Sequence, residues 1–152
     1  MGVCVATVPE AIVMATGGID GILLCSPIAT PSKADRIAAL ARDGRSLMVA
    51  VDHPQQVEMY AKAAASAGSK LGVLVDLDVG DHRIGIEPGE PAVRLAEAVM
   101  QSKHLMLRGL QAFRYVSGTV FSLEVSFRQA GTFSVGHLGA LSTPNRTSLP
   151  KT

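Results

Sequence analysis

The chain has 152 residues, enough for one domain with a substantial buried core. Hydrophobic residues make up 47% and aromatics only 4%, with no Trp, so the apolar mass is Ala, Val, Leu and Ile. That suits helices packed on a parallel sheet covered on both faces. A formal net charge of +1 shows no basic excess and argues against nucleic acid as a partner. Every apolar run is broken well before ~18 residues, so no membrane span is expected.

Residues 1–15 lack a charged start and a signal-type apolar core, which makes the cytoplasm the expected location. Five apolar strand candidates follow one another: Val3–Ala6, Ile22–Cys25, Leu47–Val51, Val73–Val79 and Leu105–Ala112. Thr7 and Glu10 have capping-box spacing for a first helix, and Gly17-Gly18 ends it. A second helix is expected from about Pro31, with Ala34, Ile37, Ala38 and Ala41 on its apolar stripe and Asp43-Gly44 as its stop. A third starts near Pro54, carries Val57, Tyr60, Ala61 and Ala64 at the same spacing, and ends at Gly68. A fourth starts near Pro91 and places Ala92, Leu95, Ala96 and Val99 on one face. Each of these three has proline at its entry, where a missing N–H costs nothing.

Cys4 and Cys25 lie in strand-like runs without CxxC spacing and are expected to behave as small buried apolar residues in a reducing compartment, with a structural disulfide as the alternative. Past Phe113 the pattern changes. Phe121, Leu123, Val125 and Phe127 alternate with polar residues, the period of a half-exposed strand, and from Ser142 onward the chain lacks apolar content and is expected to be disordered. The expected division is therefore a barrel-like unit over 1–113 and a tail over 114–152.

Strand, helix, strand at these spacings means right-handed crossovers and a parallel sheet. A doubly wound open sheet and a (β/α)8 barrel both satisfy that rule. No GxGxxG or GxxxxGK[ST] follows the first strand, which favours the barrel. Five strands do not close an eight-stranded barrel, so apolar sheet edges are expected to be exposed and prone to self-association.

The most informative stretch is Val73–Glu90. An apolar run bearing Asp76 and Asp78 ends at Gly80 and passes into His82-Arg83, bracketed by Gly85, and Pro88-Gly89 suits the centre of a type II turn. A strand ending in a cationic turn and feeding a helix is how β/α enzymes present charge at the carboxyl edge of a sheet. Asp76 and Asp78 would share one face, either as a paired-carboxylate site or, the favoured reading, held by buried hydrogen bonds or Arg contacts. His82 is a general acid–base candidate or simply a solvent-facing loop residue. His53, His104 and His137 show no HxxxH or His-x-Asp arrangement, so no metal site is expected. Thr7 and Ser26-Pro27 could bind anions at helix starts or serve as caps.

The run Val75-Asp-Leu-Asp-Val-Gly-Asp-His-Arg-Ile-Gly-Ile-Glu-Pro-Gly-Glu90 resembles the metal-activated D-threonine aldolase and D-serine dehydratase group of alanine-racemase-like enzymes. Gly2–Ala11, Ile22–Pro27 and Arg108–Phe113 resemble the same group in the same order, so the likeness covers about residues 2–113. It implies a partial (β/α)8 barrel of alanine-racemase type with about five strands and four helices, followed by an irregular C-terminal tail. It also implies pyridoxal phosphate as the cofactor of the parent enzymes and a D-3-hydroxy amino acid as substrate. Cleavage or dehydration of that substrate would use the cofactor as electron sink.

By the same resemblance Arg83 points at the cofactor's pyridine ring and donates to its phenolic oxygen, a task suited to a permanently charged guanidinium. Paired with Asp81 or Glu87, it would be an ordinary surface residue instead. Gln111 resembles a position near the cofactor, or is an amide satisfying nearby backbone groups. The resemblance places the Schiff-base lysine on a strand preceding those found here. Lys33 and Lys62 fall on helices, Lys70 and Lys103 just before strands, and Lys151 in the tail. At Phe113 a cofactor-facing tyrosine would be expected, so a hydroxyl is lost there. The chain is thus expected to be a fragment without catalytic activity of its own, with an association module and a truncated reading frame as the alternatives.

Overall fold

A computed structural model describes residues 2–42, 44–116, 119–128, 132–136 and 141–142. Four strand–helix units come first: β1 (Val3–Val5), α1 (Val8–Thr16), β2 (Ile22–Leu24), α2 (Pro31–Leu40), β3 (Leu47–Val51), α3 (Pro54–Ala67), β4 (Leu71–Leu77) and α4 (Glu90–Gln101). β5 (Leu105–Val116) follows, then β6 (Thr119–Arg128), β7 (Thr132–Gly136) and β8 (Leu141–Ser142).

β1 to β5 pair in parallel in strict chain order, and β1 is an edge. Successive helices pack on one another, α1 on α2, α2 on α3 and α3 on α4. That is a singly wound wall with its helices in one layer, the arrangement of a barrel rather than of a doubly wound sheet.

One hydrogen bond makes the same point. Gln111 on β5 donates Nε2 to the carbonyl of Cys25, just past β2, at 3.2 Å. Three strand spacings separate β5 from β2, about 14 Å in a flat sheet and beyond the reach of a glutamine. The sheet is therefore strongly curled, with Gln111 on its concave side.

Strand alternation sorts the side chains onto two faces. Val5, Ile22, Leu24, Leu47, Val49, Val51, Leu71, Val73, Val75 and Leu105 join the helix stripes in the buried core. Ala34, Ile37, Ala38 and Ala41 of the second stripe are buried, as are Val57, Tyr60 and Ala64 of the third and Ala92, Leu95 and Val99 of the fourth. Tyr60 is fully buried and its hydroxyl has no hydrogen-bond partner. The helix starts follow the sequence closely. Thr7 and Glu10 form the complete capping box. Thr30 makes no side-chain cap bond, and α2 relies on Pro31 for its entry.

Four expectations need correction. Cys4 is exposed and Cys25 only half-buried, because no helix covers the concave face on which Cys4 alternates with Val3 and Val5. β4 starts and stops two residues before the expected Val73–Val79, because Asp78 turns its carboxylate onto the following amides. Gly89 takes φ 101° but ψ −140°, so it caps α4 instead of completing a type II turn. The segment from residue 114 is not irregular throughout, since β5 runs on to Val116 and pairs antiparallel with β6 from Gly109↔Ser126 to Val116↔Thr119. The alternation over Phe121–Phe127 is what supplies that strand. The disorder expected beyond Ser142 and the roles considered for His137 and Lys151 lie outside the described residues.

Candidate functional site

The carboxyl ends of β3, β4 and β5 bring together Asp52, Asp76, Asp78, Gln111 and the loop bearing His82 and Arg83. Asp76 is 1% exposed and pairs in register with Gln111, whose Nε2 donates to Asp76 Oδ1 at 3.3 Å. Asp76 Oδ2 and Gln111 Oε1 are buried with no partner. Burial raises the Asp76 carboxyl from its ordinary value to about 6, and the nearby Asp52 and Asp78 charges push the same way. The Gln111 hydrogen bond and the Arg83 charge oppose the rise. The favoured reading of Asp76, a carboxyl held by buried hydrogen bonds, agrees with this geometry.

Asp78 is built differently. Its Oδ1 accepts the amides of Gly80 at 2.8 Å and His82 at 3.1 Å, and its Oδ2 meets His82 Nδ1 at 2.8 Å. Those backbone bonds hold its carboxyl below the ordinary value. They also hold His82 at φ 49°, an uncommon conformation for a non-glycine residue. The His82 side chain is well exposed, so its geometry is that of a loop residue tied to Asp78.

Asp52 is the residue that the sequence reading missed. Its Oδ1 accepts from Gln56 Nε2 at 2.8 Å and its Oδ2 from the amide of Gly85 at 3.0 Å. It thereby fastens the Arg83 loop to the start of α3 across 33 positions. Its only sequence signal was an Asp at a strand end before His-Pro. His53 proves to be a helix cap, its Nδ1 accepting from Gln55 N at 3.2 Å.

Arg83 is exposed and lines a cavity of about 250 Å³ with Asp52, Asp78, His82, Ile84 and Gly85. Arg83 and Gln111 thus both act on Asp76, one through charge and the other through a hydrogen bond. Among the described residues no group of three or more His, Cys, Asp or Glu could hold a metal ion. No described helix is long and apolar enough to cross a membrane.

The polar atoms suit a cofactor with an ionised oxygen only in part. Arg83 offers a charged donor, and the orphaned Asp76 Oδ2 and Gln111 Oε1 offer contacts to a polar ring atom. Among the described residues the site lacks an amine. Lys33 lies in α2 and Lys62 in α3, while Lys70 and Lys103 precede β4 and β5 at the opposite edge of the sheet. Covalent attachment of pyridoxal phosphate therefore does not fit the described residues.

Comparison with known proteins agrees with this geometry. Residues 1–125 match the family described as alanine racemase, N-terminal domain. The 3-hydroxy-D-aspartate aldolase of Paracoccus denitrificans is 35% identical over 114 residues, covering 75% of this chain and 30% of that protein. The D-threonine aldolase of an Arthrobacter species is 30% identical over 112 residues, 74% of this chain and 29% of the relative. The crystal structure of D-threonine aldolase from Filomicrobium marinum superposes with a TM-score of 0.69 at 39% identity, covering 72% of this chain and 29% of that one. The chain thus spans about 30% of the length of the curated relatives it matches. With its curled parallel wall and its charged carboxyl edge, it belongs to the alanine racemase N-terminal domain family.

Proposed function

We propose that this chain forms the Arg83- and Gln111-bearing wall of a pyridoxal-phosphate-dependent lyase that cleaves D-3-hydroxy amino acids. In this reading Arg83 and Gln111 face the cofactor, and the chain alone is inactive. The observation that carries the reading is the cluster at the carboxyl edge, where a buried carboxyl with an orphaned oxygen is bonded to an amide and feels the charge of a guanidinium. The aldolase names of the relatives favour cleavage over dehydration. The cofactor would supply the electron sink, and these residues would bind and orient it.

The test has two arms. Purified chain incubated with pyridoxal phosphate and borohydride is expected to carry no fixed adduct on any lysine and to release no glycine from D-threonine. In the second arm, residues 2–113 replace the matching segment of the Paracoccus aldolase. That chimera is expected to cleave a D-3-hydroxy amino acid and to lose ~10²-fold in rate on Arg83→Ala, the scale for removing one charged donor from a reacting centre. A folded, active chimera indifferent to Arg83→Ala would overturn the assignment.

A second reading rests on a separate observation. Among the described residues β1 pairs only with β2, and Met106 and Phe113 are 36% and 39% exposed. On this reading two copies associate through that edge and face, and an elution volume independent of protein concentration would count against it.

A further inference from the structure

At the opposite, amino-terminal edge of the sheet lies a pocket of about 390 Å³ that the aldolase reading does not use. Four cationic side chains line it, Arg42, Arg45, Lys70 and Arg108, with no carboxylate among its described lining residues. A chain of formal net charge +1 has gathered a strong local excess there. Among the described residues none of the four forms an ion pair.

Helix termini explain part of this gathering and not the rest. α2 and α3 both end at the pocket, and each C-terminus carries about half a negative charge. Arg42 answers one of them by donating Nε to the carbonyl of Ala67 at 3.0 Å. Asp20, the carboxylate bonded to Ser46 beside the pocket, already accepts the amides of Gly21 and Ser46 at 3.1 and 2.8 Å. Asp43 lies outside the described residues. Among the described residues, two half-charges and one occupied carboxylate do not neutralise four cations.

Two further features mark the pocket as shaped. Ser69 is among its lining residues, 5% exposed, and its hydroxyl is buried without a hydrogen-bond partner. Such an orphan is costly unless a ligand or water satisfies it. Gly72 is the second feature. A Cβ there would meet Met48 Cγ at 2.8 Å and Arg108 Cγ at 3.1 Å, so the bare glycine lets the Arg108 stem lie across β4.

We infer that this pocket binds a di- or triphosphate anion, free or at the end of a nucleotide. Arginine forks and a flexible lysine match several phosphate oxygens at once. A lone carboxylate would leave most of these donors unused.

The test titrates the purified chain calorimetrically with tripolyphosphate, ATP and adenosine at matched ionic strength. Tripolyphosphate and ATP are expected to bind saturably, more weakly as salt rises, and adenosine not at all. Arg45→Gln and Lys70→Gln are each expected to weaken tripolyphosphate about tenfold, the scale of one charge-assisted contact. Arg94→Gln, on α4 and paired with Glu90, is expected to change nothing. Arg108→Gln and Ser69→Ala extend the series if their melting curves match the parent. Absence of saturable binding, binding unmoved by Arg45→Gln and Lys70→Gln together, or equal binding of adenosine would overturn the inference.

Discussion

Gln111 and Asp76 are register partners on neighbouring parallel strands, and the amide donates to the carboxyl at 3.3 Å inside a site with almost no solvent. The same nitrogen reaches the Cys25 carbonyl, so one side chain ties three parts of the wall together. Replacing it with leucine removes both bonds and leaves buried acceptors without that donor. Gln111→Leu is expected to lower unfolding stability by about 1–3 kcal/mol in urea titration, the cost of stranding buried polar groups. An unchanged midpoint would mean that the amide contributes nothing there.

Asp76 gives the chain a pH dependence of definite sign. Its folded value of about 6 lies above the unfolded value of about 4, so the folded state binds more protons between the two. Stability from this group is therefore full below pH ~4 and falls by on the order of 2 kcal/mol as pH rises through about 6. Asp78, held below its ordinary value, has the opposite sign and loses its contribution only as pH drops through its own lower range. The two are separated by Asp76→Asn, which is expected to flatten the stability profile between pH 4 and 6 and leave the acid limb in place. A parent profile that rises over that interval would contradict the assignment.

Much of the architecture was legible because βαβ units write themselves in local patterns. The stripes Ala34/Ile37/Ala38/Ala41 and Ala92/Leu95/Ala96/Val99 named their helices, and apolar runs named β1 to β4 to within two residues and the start of β5. Contacts between distant positions were not legible. The Gln111–Cys25 bond spans 86 positions and the Asp52–Gly85 bond 33, and no periodicity encodes either. Arg83 was visible as a cation in a glycine-flanked turn, whereas Asp52 as its anchor was not. The end of β4 was misplaced for a related reason: Asp78 fits an extended strand by alternation but finds better partners in the amides of Gly80 and His82. The basic pocket escaped because its four cations come from three separate segments, the α2–β3 connection, the start of β4 and β5.

Tyr60 tests how the helix-facing core tolerates polarity. It sits on α3, fully buried, with its hydroxyl lacking a partner, and burial raises its pKa. Removing an unsatisfied hydroxyl while keeping the ring deletes a desolvation cost and little packing. Tyr60→Phe is expected to leave stability unchanged or raise it by about 1 kcal/mol in thermal melts. A clear loss would show that the hydroxyl is satisfied by a buried water.

The Arg83 loop depends on two glycines for different reasons, and paired substitutions separate them. Gly85 has φ 99°, and a Cβ there would collide with the backbone of Leu77 and Asp78. Gly89 has φ 101°, but a Cβ there would meet nothing within 4 Å. Gly89→Ala therefore carries only conformational strain, about 1 kcal/mol. Gly85→Ala adds a clash with backbone that cannot swing aside, because Ile86 donates to Asp76 O at 2.8 Å and accepts from Asp78 N at 2.9 Å. Its cost is expected to reach about 3 kcal/mol, the upper range for a backbone position forced out of its allowed region. Hydrogen exchange locates the effect, since the Ile86 and Asp78 amides should lose protection in Gly85→Ala and keep it in Gly89→Ala. Equal costs for the two variants would show that the approach of residue 85 to the end of β4 does not hold the loop in place.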